Sequence, residues 1–137
     1  MDKSKAMREQ LSSRGKSKDS AAHEELAGVF EKLQGRLTFN IFCYEMRVRA
    51  YQDRPAKLTR SVARKALEFH DKSPIGGQKD IWAALMAVID NPVLDTAYLL
   101  SSGEPDVGEY VHWNRVTYQL KEINRFHKVI FHTIAYS

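Results

Sequence analysis

The run Asp95-Thr96-Ala97-Tyr98-Leu99-Leu100, followed at once by Ser101-Ser102-Gly103-Glu104-Pro105, constrains this chain more than any other stretch. Its apolar middle lacks strict alternation and stops on small, turn-forming residues, the pattern of a strand buried on both faces of a parallel sheet. In open sheets flanked by helices, ligands bind beyond the carboxyl ends of the strands. Ser102, Gly103 and Glu104 are therefore the first candidates for a site.

With 137 residues the chain suits one domain, a basic polar head over 1–20 and an α/β body over 21–137. It is long enough to bury a core without disulfides or a structural metal. A hydrophobic fraction of 43% against 28% charged residues fits a soluble globular chain, and no run approaches the roughly 20 apolar residues that cross a bilayer. The amino terminus is charged from Asp2 onward and carries no apolar segment of signal type, so a cytoplasmic location and no membrane partner are expected. The single cysteine, Cys43, lies between Phe42 and Tyr44 and reads as a small buried hydrophobe. Of the formal net charge of +4, the first 20 residues supply +3, with six basic residues against Asp2, Glu9 and Asp19. The body is near neutral, and a nucleic-acid face on it is not expected.

Residues 8–20 are polar with interspersed Gly and Ser and read as an exposed loop. From a cap at Ser17 or Ser20, a helix is predicted to Leu33, with Leu26, Val29, Phe30 and Leu33 on one stripe. His23 and the Glu24-Glu25 pair beside that stripe read as a solvated face rather than a metal site. Residues 37–44 form one aromatic and β-branched strand, and residues 47–51 alternate charge with apolar groups as an edge strand folded back in a hairpin. Thr59 or Ser61 caps a helix reaching about Asp71. Residues 81–89 make a helix apolar nearly all round, stopped by Asn91-Pro92. A last helix runs from about Tyr110 to Phe126, with Trp113, Val116, Leu120 and Ile123 on one side, before a strand over 129–135. His127 and His132 fall on opposite sides of extended chain, and neither His70 nor His112 carries a persuasive carboxylate or cysteine at ligand spacing. The order of elements predicts a layered α/β domain, doubly wound, with a mostly parallel sheet flanked by helices.

Three loops together resemble the von Willebrand factor type A domain, a doubly wound Rossmann-type fold whose complete members bind a divalent cation at the strand tips. Asp2-Lys3-Ser4-Lys5-Ala6-Met7 resembles its Asp-x-Ser-x-Ser motif, with Ala6 in place of the second serine. Gly76-Gly77-Gln78-Lys79-Asp80 resembles its Gly-rich loop, with Lys79 where a threonine belongs. Leu100-Ser101-Ser102-Gly103-Glu104-Pro105 resembles its Asp-Gly loop, with Ser102 for the aspartate. The family's ligands are hard oxygens suited to octahedral Mg²⁺. Here one carboxylate and one ammonium cancel, and an ammonium a few ångströms from a dication is repelled even in a partly solvated setting. The resemblance thus implies an eroded site of Asp2, Ser4, Ala6, Lys79, Asp80, Ser102, Gly103 and Glu104 that holds no metal. Lys79 either pairs with Asp2 in the cation's place or points into solvent.

In the family a central strand precedes the first motif, whereas only Met1 precedes Asp2 here. The strands at Leu37 and Asp95 would then face each other across roughly 10 Å, two strand spacings. The resemblance implies that residues ahead of Met1, closure of the two strands, or a strand from another chain fills that space; the stop at Ser137, short of the family's closing elements, fits a fragment. The function it implies is a non-enzymatic protein-interaction module with no cofactor, whose partner is another protein, with strand donation or homo-oligomerisation as the means. The alternative is a domain in which Asp2, Ser4 and Ser102, helped by Glu104 or Asp80, still hold Mg²⁺ and capture a partner's carboxylate. Catalysis is not expected: Ser101 and Ser102 lack a motif that supplies a base, Glu104 and Asp106 read as solvated turn carboxylates, and no Gly-x-x-x-x-Gly-Lys loop is present.

Overall fold

Among the described residues, three of the four α-helices begin where short polar side chains take the first free backbone N–H groups. The computed structural model describes residues 1–11 and 15–136, so Ser12, Ser13 and Arg14 of the expected loop lie outside the described residues. Helix α1 (Lys18–Leu33) is capped by Ser17, which accepts from Ser20 N at 3.2 Å. Helix α2 (Arg60–Lys72) is capped by Thr59, accepting from Val62 N at 3.2 Å, and α3 (Ile81–Ile89) by Asp80, accepting from Ala83 N at 2.9 Å. Helix α4 (Trp113–His127) has no side-chain cap at His112. Its other end is fixed by the Asn124 side chain, which accepts from Val129 N at 2.8 Å and donates to Val129 O at 2.7 Å. The head is less exposed than its composition suggests, because a 3₁₀ turn at Lys5–Arg8 buries Met7 and because Lys18 is buried.

The strands pair in twos. Strand β1 (Thr38–Phe39) runs antiparallel to β4 (Ala56–Lys57), and β2 (Phe42–Tyr44) antiparallel to β3 (Val48–Ala50). Strand β5 (Thr96–Ser101) runs parallel to β6 (Ile130–Ala135), with Thr96 opposite Ile130 and Leu100 opposite Ile134. The chain is thus mixed α/β with short sheets, and the expected doubly wound, mostly parallel sheet is corrected: among the described residues only β5–β6 is a parallel pair. The strand predicted over 37–44 is broken at Asn40, whose side chain accepts from Ile41 N at 2.9 Å and Gln52 N at 3.2 Å and donates to Gln52 O at 2.7 Å. A local side-chain bond competes there with the ladder and interrupts it.

Residues 1–3 lie between β2 and β5. Tyr44 N donates to Met1 O at 3.0 Å and Lys3 N to Tyr44 O at 2.7 Å, while Asp2 N donates to Leu100 O at 3.1 Å. The Met1 nitrogen donates to Phe42 O at 2.8 Å. The central space is therefore occupied at its carboxyl end by this short segment, parallel to β2. Asp95 O and Ser101 O accept from β6 and its flanks, whereas Leu100 O faces Asp2. Alternation then turns the peptide groups of Thr96 and Tyr98 the same way as those of Leu100, into that space.

Helices cover both faces. Tyr44, Ile81, Trp82, Leu85, Leu99 and Val116 pack between the strands and the α3–α4 layer, and Phe30, Ile41, Cys43, Leu58 and Ala66 pack on the α1–α2 side. Met7, Ala21, Ala22, Leu100 and Tyr136 form a third cluster. The expectation that the 95–100 strand is buried on both faces holds only at its carboxyl half. Leu99 and Leu100 are buried, but Tyr98 is 62% exposed and stacks on His132 with ring centroids 4.8 Å apart. Among the described residues no helix is long and apolar enough to cross a membrane.

Truncating Leu99 to alanine removes a side chain locked between β5 and two helices, and should lower unfolding free energy by about 2 to 5 kcal/mol. Val93→Ala, at a position 70% exposed, should change it by less than about 0.5 kcal/mol. Urea unfolding of both variants checks the assignment, and comparable losses would contradict it.

Candidate functional site

Asp2 is fully buried at the tip of the central segment, and its carboxylate is the hub of the rim. Oδ1 accepts from Ser4 N at 2.7 Å. Oδ2 accepts from Ser102 N at 2.8 Å and from the Ser102 hydroxyl at 2.7 Å. The Ser4 and Ser102 hydroxyls lie 3.4 Å apart. A buried carboxylate is tolerated when hydrogen bonds replace its water, and here two backbone amides and one hydroxyl take three of its roughly four acceptor positions. Beneath it, Tyr44 donates to Leu100 O at 3.2 Å, and burial together with the Asp2 charge pushes the phenol well above its ordinary range.

The second loop is sewn to the same segment through backbone. Gly76 N donates to Lys3 O at 2.9 Å and Lys5 N to Gly77 O at 3.1 Å. Gly77 takes a positive φ of 69° beside Glu45 and Met46, a conformation that favours glycine. The rim of residues 2–6, 76–80 and 102–105 is thus gathered at the carboxyl ends of β2 and β5.

Lys79 departs from both expectations held for it. It neither pairs with Asp2 nor points into solvent: the side chain is buried, its ammonium lies 3.3 Å from Asp106 Oδ2, and its own N–H donates to the same oxygen at 3.0 Å. Asp106 N and Val107 N in turn donate to Lys79 O at 3.0 and 3.2 Å. Asp106, expected as a solvated turn carboxylate, is therefore the partner that replaces Asp2. Its position 27 residues downstream left no local signal. Asp80 points away from Asp2 to cap α3, and Gly108 packs against its carboxylate where a Cβ would clash. Ala6 sits in the 3₁₀ turn and brings no oxygen side chain to the rim, while Gly103 and Glu104 are exposed. Of the expected set, Asp2, Ser4 and Ser102 come together by side chain; Lys79 and Asp80 turn elsewhere.

No protein-family model matches this chain, and neither does any curated protein. The rim itself, rather than a relative, has to carry the reading.

A second polar cluster hangs from the same segment on the opposite face. Lys3 is 1% exposed and its ammonium lies 2.7 Å from Asp19 Oδ1 on α1. Asp19 Oδ1 is 3.4 Å from Nε2 of His70, which is fully buried on α2. Burial, with the Lys3 charge adding to it, lowers the His70 pKa to about 4, so the ring is neutral near pH 7. His23 Nδ1 lies 2.7 Å from Asp71 Oδ1, and the two imidazole centroids are 5.7 Å apart. These residues come from two helices far apart in sequence, so no motif announced them, and the reading of His23 as part of a solvated face is corrected. Cys43 is buried, and its thiol is pushed above the ordinary range by that burial.

Removing the hub leaves the Ser4 and Ser102 amides without an acceptor. Asp2→Ala should therefore lower unfolding free energy by about 2 to 4 kcal/mol, against about 1 kcal/mol for Ser102→Ala, which removes one bond and keeps the carboxylate. Denaturant titration of the two variants measures the difference, and equal losses would mean that the carboxylate is not the anchor.

Proposed function

We propose that this chain is a non-enzymatic protein-interaction module, similar in layering to a von Willebrand factor type A domain, whose rim works without a metal and whose protein partner adds an extended strand. The observation that carries the metal-free part is the set of hydrogen bonds that Asp2 already accepts. Octahedral Mg²⁺ needs six oxygens at about 2.1 Å. The rim offers one carboxylate and two hydroxyls, and three of their hydrogen bonds are already spent on one another and on backbone amides. A cation would have to displace those donors. The buried ammonium of Lys79, held by Asp106, also lies on the loop from which the family takes a ligand. The residues present do not fit the ion.

Support for a strand-adding partner comes from the central space. The peptide groups of Thr96 and Tyr98 face it on one side, and residues 1–3 close only its carboxyl end. An extended segment laid along β5 gains ladder hydrogen bonds from Thr96 and Tyr98, the mode in which backbone supplies affinity and side-chain pockets supply selectivity. The same geometry would serve a second copy of this chain. For catalysis the site lacks a base: the contacts of the Ser102 hydroxyl are Asp2 and Ser4 rather than an imidazole, and the one thiol is buried.

Two measurements test this. Calorimetric titration with Mg²⁺ should give affinity weaker than about 1 mM. Tighter binding would favour the alternative in which Asp2, Ser4 and Ser102 hold the ion for a partner's carboxylate. Amide exchange should be fast at Thr96 and Tyr98 in the isolated chain and slow by roughly a hundredfold when a Val- and Ile-rich pentapeptide is added, but not with a proline-substituted one. Protection of both amides without any peptide, equal to that of Leu99, would remove the strand-addition mode.

A further inference from the structure

His70 presents an unusual combination for a core side chain: it is fully buried, neutral, and its Nε2 makes no hydrogen bond. His23 Nδ1 is likewise buried without a hydrogen-bond partner, although Asp71 Oδ1 is only 2.7 Å away. His23 Nδ1 thus faces Asp71 and His70 Nε2 faces Asp19, which sets two imidazoles and two carboxylates against one another across the α1–α2 pair.

We propose that His23 on α1 and His70 and Asp71 at the end of α2 form a binding site for one zinc-class divalent transition metal, which ties the two helices together. One ligand atom from each residue lies within 4.8 Å of the other two. Asp71 Oδ1 is 2.7 Å from His23 Nδ1 and 3.5 Å from His70 Nδ1. Tetrahedral Zn²⁺, with bonds of about 2.0 to 2.1 Å, sets its ligands about 3.3 Å apart, so the three atoms need only small side-chain rotations to surround it. Two imidazoles and one carboxylate are borderline donors of the kind zinc, cobalt and nickel take, and not the all-oxygen set of Mg²⁺ or Ca²⁺.

The surroundings agree. With Nδ1 of His70 on the metal, the proton sits on Nε2, which faces Asp19 Oδ1 at 3.4 Å; an outer carboxylate in that position fixes the tautomer of a ligating histidine. Asp19 also neutralises Lys3, so the nearest buried ammonium does not oppose the ion directly. Lys72, the next residue along α2, turns to Glu68 at 3.9 Å. Asp71 is exposed, which leaves entry from solvent and a fourth coordination position for water. This site is separate from the Asp2 rim, and its presence or absence leaves the reading of that rim unchanged.

The experiment uses the full chain without an affinity tag, stripped with chelator and titrated with Zn²⁺ and with Co²⁺. The expected result is one equivalent bound with Kd of about 1 μM or tighter, visible absorption bands of tetrahedral Co²⁺, and a higher melting temperature with Zn²⁺. His23→Gln and Asp71→Asn, both at positions outside the buried core, should each weaken binding roughly tenfold or more while the circular dichroism of the apo chain stays unchanged. His132→Gln, whose ring stacks on Tyr98, should bind as the parent does. Absence of saturable Zn²⁺ binding below about 100 μM, or parent-like binding by either His23→Gln or Asp71→Asn, overturns the proposal.

Discussion

The backbone link between strands β2 and β5 runs through three residues. Residues 1–3 bond to Phe42 and Tyr44 on one side and to Leu100 on the other. Backbone bonds of this kind contribute only about 1 kcal/mol each. Their effect is larger than that sum because Asp2 adds charge-assisted bonds to Ser4 and Ser102 at the same point. The buried carboxylate draws in the 102–105 loop, and backbone bonds of Lys3 and Lys5 to Gly76 and Gly77 hold the third loop beside it.

Strand alternation then distributes the consequences. Asp2 sits among the loops of the rim, and Lys3, the next residue, sends its side chain to α1, where Asp19 accepts it. A buried pair such as Lys3 and Asp19 contributes little net stability, since desolvation offsets most of the attraction. Its geometry nevertheless specifies where the amino end of α1 docks and places Asp19 against His70 on α2. The rim and the histidine cluster are therefore two faces of one short extended segment.

The lysine in the Gly-rich loop illustrates how a charge finds its partner. Lys79 is buried beside a loop that could have offered Asp2 or water, yet its ammonium and its own amide both engage Asp106. Asp2 already accepts from Ser4 and Ser102, whereas Asp106 belongs to a turn whose amides bond back to Lys79 O. Reciprocal bonds between two loops give a geometry that a single long-range pair does not.

What the amino-acid order determined by itself was local. Ser17 and Thr59 as caps, the 3.6-residue stripes of α1 and α4, the all-round apolar α3 and the turn after Ser101 depend on neighbours within a few positions, and their elements lie within a few residues of where periodicity puts them. The grouping of residues 2–6, 76–80 and 102–105 was expected only from the resemblance of the three stretches to von Willebrand factor type A motifs, and no local pattern supplied it. Tertiary structure alone decided the rest: the break at Asn40, the exposure of Tyr98, the choice of Asp106 by Lys79, and the meeting of His23 with His70 and Asp71. Each of these is a competition among groups distant along the chain, settled by which polar atoms remain unsatisfied once the helices have packed, and no local pattern encodes that outcome.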